Sequence, residues 1–140
     1  MNEENDIFNK INIICDEAKE YEEMRIFNLA LKKYNQALEL LEQKPKDAYN
    51  QLNILIKISI GDVLFCEKKY SEAKSWYYRA KECVLGLNNA YILFLIGKCF
   101  YEENNMAKAK DYFIKTYMLS GIDIFCTENI KYYNLIEGLL

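Results

Sequence analysis

Histidine is absent from the 140 residues. Its absence removes Ser-His-Asp and Cys-His catalysis, His-ligated zinc or haem, and a histidine-based pH switch. Proline occurs once, as Pro45, and glycine five times. That is too little for a turn-rich β fold and favours long helices. The longest uncharged run, Cys83 to Gly97, contains Gly86, Asn88 and Asn89. It is shorter than the roughly 20 apolar residues a membrane-spanning helix needs. No dense basic stripe is present, and with a net charge of −3 and a pI near 5.1 the chain does not suit a phosphate backbone. The opening MNEENDIFNK is acidic where a signal peptide would be basic. Five cysteines (Cys15, Cys66, Cys83, Cys99, Cys126) are scattered singly and never as C-x-x-C. An odd, unpaired set fits a reducing compartment, with cysteine acting as a small buried hydrophobe. A four-thiolate zinc site would need paired spacing. The expectation is a cytoplasmic protein with no metal, no cofactor, no nucleic acid and no membrane partner.

What is present is apolar and aromatic: 51% hydrophobic and 14% aromatic residues, twelve of them tyrosine. That is enough for one domain with a core and excludes disorder. Apolar residues recur mostly at steps of three and four, which is helical. Ile7, Phe8, Ile11, Ile14, Cys15, Ala18 and Tyr21 form one such face, and Phe27, Ala30, Tyr34 and Ala37 a second. Pro45 breaks the pattern between Gln43 and Lys46. A long helix from Lys46 to Glu67 follows, carrying Ala48, Leu52, Leu55, Ile56, Ser59, Ile60, Val63 and Leu64. Beyond Gly121, a connector Asp123–Thr127 leads to a last helix near 128–138. Thr127 would cap it, and Ile130, Tyr133, Ile136 and Leu140 would form its buried face.

Leu93, Ile96, Gly97 and Phe100, then Ala109 and Phe113, follow the pattern W-x-x-L-G-x-x-Y, A-x-x-x-F. Ile60, Gly61, Leu64, Ala73 and Tyr77 repeat it, and Ile14, Ala18, Tyr21, Ala30 and Tyr34 repeat it more loosely. On these residues the chain resembles tetratricopeptide repeat (TPR) proteins. It departs from them in the missing Trp, the missing Pro near each unit's end, and Glu17 in a Leu place. The resemblance implies an all-α fold, a right-handed α-solenoid. Its three helix pairs would span about 11–44, 54–87 and 90–123, closed by a capping helix at about 128–138. Gly61 and Gly97 would lie where paired helices cross, facing Ala73 and Ala109, with Tyr77 and Phe113 filling the gap to the next unit.

The resemblance also implies a function: binding a protein or peptide on the concave face, lined by the first helix of each unit. The groove places fall on Asn12, Cys15, Lys19 and Glu22; on Leu55, Ile58, Asp62 and Phe65; and on Tyr91, Phe94, Lys98 and Tyr101. Lys19, Asp62, Phe65, Tyr91, Phe94, Lys98 and Tyr101 are the candidate partner-binding residues. Leu55, Ile58 and Phe94 read equally well as core. Chaperone-tail binders hold a terminal carboxylate with a basic clamp. Its places here are Cys15, Lys19, Ser59, Tyr91 and Leu95, and a clamp with one cation pairs an anionic tail poorly. The run Asp16, Glu17, Glu20, Glu22, Glu23 reads first as a solvated helix face and second as a dock for a basic partner. No catalytic pair, phosphate loop or activated thiol stands out, so the reading is non-catalytic. The third unit and tail also look like small single-domain bacterial TPR proteins, some from toxin–immunity type loci. Two alternatives follow: a self-associating homodimer, and a cytosolic immunity-type partner that neutralises a toxin.

Overall fold

The computed structural model describes residues 3–45, 49–83, 86, 88–126 and 130–140. Among them every regular element is helical. The helices are α1 (Glu3–Glu23), α2 (Phe27–Glu42), α3 (Asn50–Cys66), α4 (Tyr70–Lys81), α5 (Ala90–Glu102), α6 (Met106–Ser120), α7 (Asp123–Cys126) and α8 (Lys131–Asn134), followed by a 3-10 turn, Glu137–Leu139. Packing is closest within α1/α2, α3/α4 and α5/α6, and next closest between α2 and α3 and between α4 and α5. The chain is therefore an α-solenoid of helix pairs stacked in sequence order, each pair covering the face its neighbour leaves bare.

The turn inside each pair has the same construction. Arg25, Lys68 and Asn104 adopt φ of 61°, 62° and 64°. After each, the next backbone N–H donates five residues back: Ile26 to Tyr21, Lys69 to Leu64, Asn105 to Phe100. This is the left-handed helix stop that satisfies the orphan carbonyls of a helix end. Asn89 caps α5 by accepting from the N–H groups of Tyr91 and Ile92, and Asn105 caps α6 by accepting from Lys108. Gly121 ends α6 at φ 74°, a conformation glycine adopts freely.

The helix crossings differ in detail from the expectation. A methyl on Gly61 would lie 2.5 Å from the Tyr77 ring, and one on Gly97 would lie 2.6 Å from the Phe113 ring. The glycines thus make room for an aromatic of their own pair, and the alanines are not their nearest partners. Ala73 and Ala109, both fully buried, let the helices approach one turn earlier.

Two other expectations shift. The described part of α3 begins at Asn50, and residues 46–48, where the longer helix was to start, lie outside the described residues. The closing element is not one helix. Asp123–Cys126, expected as a connector, is itself a helical turn, and α8 and the 3-10 turn follow as separate short pieces. Thr127 and Glu128 lie outside the described residues. Of the four residues expected inside, Ile136 is buried and Tyr133 half-buried, whereas Ile130 and Leu140 are exposed. Phe125 and Tyr132 take the buried places instead.

Candidate functional site

The first helices α1, α3 and α5 carry the twelve groove places, and these divide into a closed end and an open end. At the closed end Phe94 is 0% exposed and Lys98 8%. Phe94 meets Phe113 at 5.8 Å, Phe125 at 5.2 Å and Tyr132 at 5.9 Å between ring centroids. Tyr132 also stands edge-on to Tyr101 at 5.1 Å. The Lys98 ammonium lies 4.8 Å over Phe65, 5.6 Å over Phe94 and 5.9 Å over Tyr132, a cation placed on ring faces. Phe94 and Lys98, expected in the groove, are therefore inside, under the chain's own C-terminal segment.

Glu102 ties that segment down. Its Oε1 accepts from Tyr132 Oη at 2.8 Å and from Lys131 Nζ at 2.9 Å. Burial raises the Glu102 carboxyl pKa, but these two bonds outweigh it and hold the pKa below the usual 4.5. A depressed folded-state pKa gives stability that is present above the unfolded value and lost as pH falls through the folded one. Glu102→Gln should thus cost about 0.5–1 kcal/mol at pH 7 for a half-exposed pair. The difference from wild type should shrink as pH drops below about 4.5, as read by urea unfolding.

The first two pairs are latched differently. Tyr34 donates to Glu22 at 2.9 Å and Tyr77 to Asp62 at 2.6 Å. Each carboxylate lies on a first helix and each tyrosine on its partner helix. Burial first, then the carboxylate, raises both tyrosine pKa values well above 10, so both hydroxyls stay donors. In the third pair Phe113 takes the place of the tyrosine and joins the aromatic cluster.

At the open end Leu55 is 54% exposed, Tyr91 41% and Phe8 38%, and Lys19 is exposed on α1. Phe8, Asn12, Tyr49, Gln51, Leu52 and Leu55 line a cleft of about 360 Å³ between the N-terminal ends of α1 and α3. Phe8 and Tyr49 close one side with ring centroids 5.6 Å apart. Asn12 and Leu55 are groove places read from sequence. Phe8 and Leu52 read there only as helix-face residues, and Tyr49 gave no signal. The structure brings Phe65, Lys98 and Tyr101 together with Tyr132, leaves Tyr91 and Lys19 exposed to solvent, and holds Asp62 half-buried on Tyr77.

The basic clamp does not assemble. Leu95 is in the core, and the Ser59 hydroxyl donates to the Leu55 carbonyl of its own helix. Cys15 is half-buried, with its thiol pushed up to about 11 by burial and by Asp16. Burial likewise pushes Cys99 up to about 12, so neither thiol is an activated nucleophile. Among the described residues no cluster of three His, Cys, Asp or Glu could hold a metal. No described helix is long and apolar enough to cross a membrane.

Solved structures share this fold. The first TPR of Spaghetti (RPAP3), bound to the HSP90 peptide SRMEEVD, is 14% identical with a TM-score of 0.71, over 94% of each chain. The fold is that of a TPR domain. A second TPR-like neighbour is the Yersinia enterocolitica type III secretion chaperone SycD, in complex with a peptide of the translocator YopD. It is 12% identical with a TM-score of 0.72, over 93% of this chain and 92% of that one. A third is the N-terminal domain of stress-induced protein-1 (STI-1) from C. elegans, at 19% identity and TM-score 0.70, over 92% and 96%. At these identities the likeness establishes the TPR fold. No family model matches the sequence, and no curated protein matches it either.

Proposed function

We propose that the chain is a non-catalytic, cytoplasmic interaction module that takes a protein or peptide segment on the face of its first helices. The observation that carries this reading is the open half of that face. Leu55 and Phe8 are large apolar side chains left exposed on a cleft, and Tyr91 is exposed at the start of α5; a monomer gains nothing by exposing them. Two neighbours of the same fold hold peptides, an HSP90 peptide and a YopD peptide. Lys19 is the only basic residue of the five clamp places, so an anionic chaperone tail is not the ligand. The binding surface comprises Lys19, Asp62, Tyr91 and the cleft residues. Phe65 and Tyr101 border it where it meets the C-terminal segment.

Tyr91→Ala combined with Leu55→Ser should abolish capture of the partner and leave the circular dichroism spectrum and melting temperature unchanged. A partner that still binds this folded variant places the site elsewhere. Tyr101 is unsuitable for the test because its ring props Tyr132.

A second reading, pairing of two copies, draws on the C-terminal end. Met118, Leu119, Ile122, Leu139 and Leu140 are all exposed there, and a two-fold pair would bury such a patch twice. Sedimentation at micromolar concentration decides it, and a strict monomer removes this reading.

A further inference from the structure

We propose that the α1/α3 cleft anchors a cationic partner segment. One apolar side chain would seat against Phe8, Tyr49, Leu52 and Leu55, with lysines or arginines flanking it along α1. This rests on the first-helix reading above and names the partner class.

One wall of the cleft carries an unusual backbone conformation. Among the described residues, four non-glycine residues have positive φ. Three of them are the intra-pair turns closed by backbone bonds. The fourth is Tyr49, at φ 56° and ψ 40° just before α3, with no side-chain cap bond. A bulky residue held there costs about 1–3 kcal/mol. The Tyr49 ring packs on Phe8, with centroids 5.6 Å apart, and the pair shapes the cleft. Asn12 and Gln51 stand on the rim and offer amide donors and acceptors to an extended or helical backbone.

The electrostatics select the occupant. Helix α1 carries eight acidic residues against two lysines, Lys10 and Lys19. Along the Phe8–Asn12 strip, Asp16 follows at helical spacing, then Lys19, Glu22 and Glu23. Facing this strip, α3 has one acid, Asp62, and one base, Lys57. Lys57 Nζ donates to Cys83 Sγ at 3.4 Å, beyond the end of α4, so it is directed off the groove. Lys98 is covered by rings. The basic excess sits on the second helices: Lys74, Arg79 and Lys81 on α4, and Lys108, Lys110 and Lys115 on α6. An apolar pocket in a negative field gives affinity by burial and selects by steering, since like charge is repelled before contact. The same field disfavours an anionic lipid surface and the α1 face of a second copy.

A random dodecapeptide library displayed on phage, selected against the folded full chain at low salt, tests this. Enriched peptides should place lysine or arginine around one or two large apolar residues. A synthesised winner, read by fluorescence anisotropy, should bind about tenfold more weakly to Leu55→Ser. It should weaken several-fold with Asp16→Lys plus Glu23→Lys, and again when salt is raised from about 50 to about 500 mM. Enrichment of acidic or uncharged peptides that still depend on Leu55 overturns the cationic class and leaves the first-helix surface standing. Peptides indifferent to both Leu55→Ser and Tyr91→Ala, or no enrichment at all, overturn both. Self-association lost in Leu55→Ser assigns the cleft to a second copy and overturns the proposal.

Discussion

Phe94→Ala should cost about 3–5 kcal/mol, the usual loss for emptying a fully buried aromatic site. Against a total stability of about 5–15 kcal/mol, that is a large part of what holds the fold. The melting temperature, followed by circular dichroism, should fall by on the order of 10 °C. The reason is connectivity. Phe94 is the ring on which Phe113, Phe125 and Tyr132 converge, so truncation opens a cavity that touches α6, α7 and α8 at once. A Phe94 that lined an open groove would show the reverse, with binding lost and stability kept. A variant that melts within about 2 °C of wild type would mean that the C-terminal segment is not packed there.

Gly97→Ala should be the second-largest loss, up to about 2 kcal/mol net. Alanine gains about 1 kcal/mol over glycine inside a helix. The new methyl would lie 2.6 and 2.8 Å from Phe113 ring atoms and 3.2 Å from Tyr112 Cβ. Phe113 is 0% exposed and hemmed in by the same cluster, so it cannot swing aside. Overpacking of this kind costs about 1–3 kcal/mol and occasionally more. The control is Gly138→Ala, where a methyl meets nothing within 4 Å. Its effect should stay within about 0.5 kcal/mol. If urea denaturation shows Gly97→Ala as stable as Gly138→Ala, the close crossing of α5 and α6 is wrong.

The helix pairs were legible because two signals agree: apolar residues at helical steps, and small residues at Ala18, Gly61, Gly97, Ala30, Ala73 and Ala109. Small residues at crossings are forced by backbone approach, so their places survive wide drift elsewhere. The closing element departs from the helical period because the segment breaks into short pieces. A straight helix over 128–138 would bury Ile130, Tyr133, Ile136 and Leu140. Splitting the segment into short pieces turns Tyr132 inward and Ile130 and Leu140 outward. The groove was legible only in part. Phe94, Lys98 and Tyr101 lie on a groove face that stays open only if nothing packs over α5. Whether that face is covered is a tertiary fact, and here Tyr132 covers it. Tyr49 was invisible because nothing in its neighbours demands a left-handed backbone.

The two ends of the stack are finished unequally. Aromatic rings and a shared carboxylate seal the C-terminal end, while no described element packs on the outer side of α1. Opening fluctuations in a solenoid begin at the end with fewest neighbours. Amide exchange should therefore unzip from α1, ahead of α5 and α6. A ligand lying across α1 and α3 would supply the neighbour that the first pair lacks. Occupancy and order of the amino-terminal third would then rise together, and the molecule would stiffen where it is engaged.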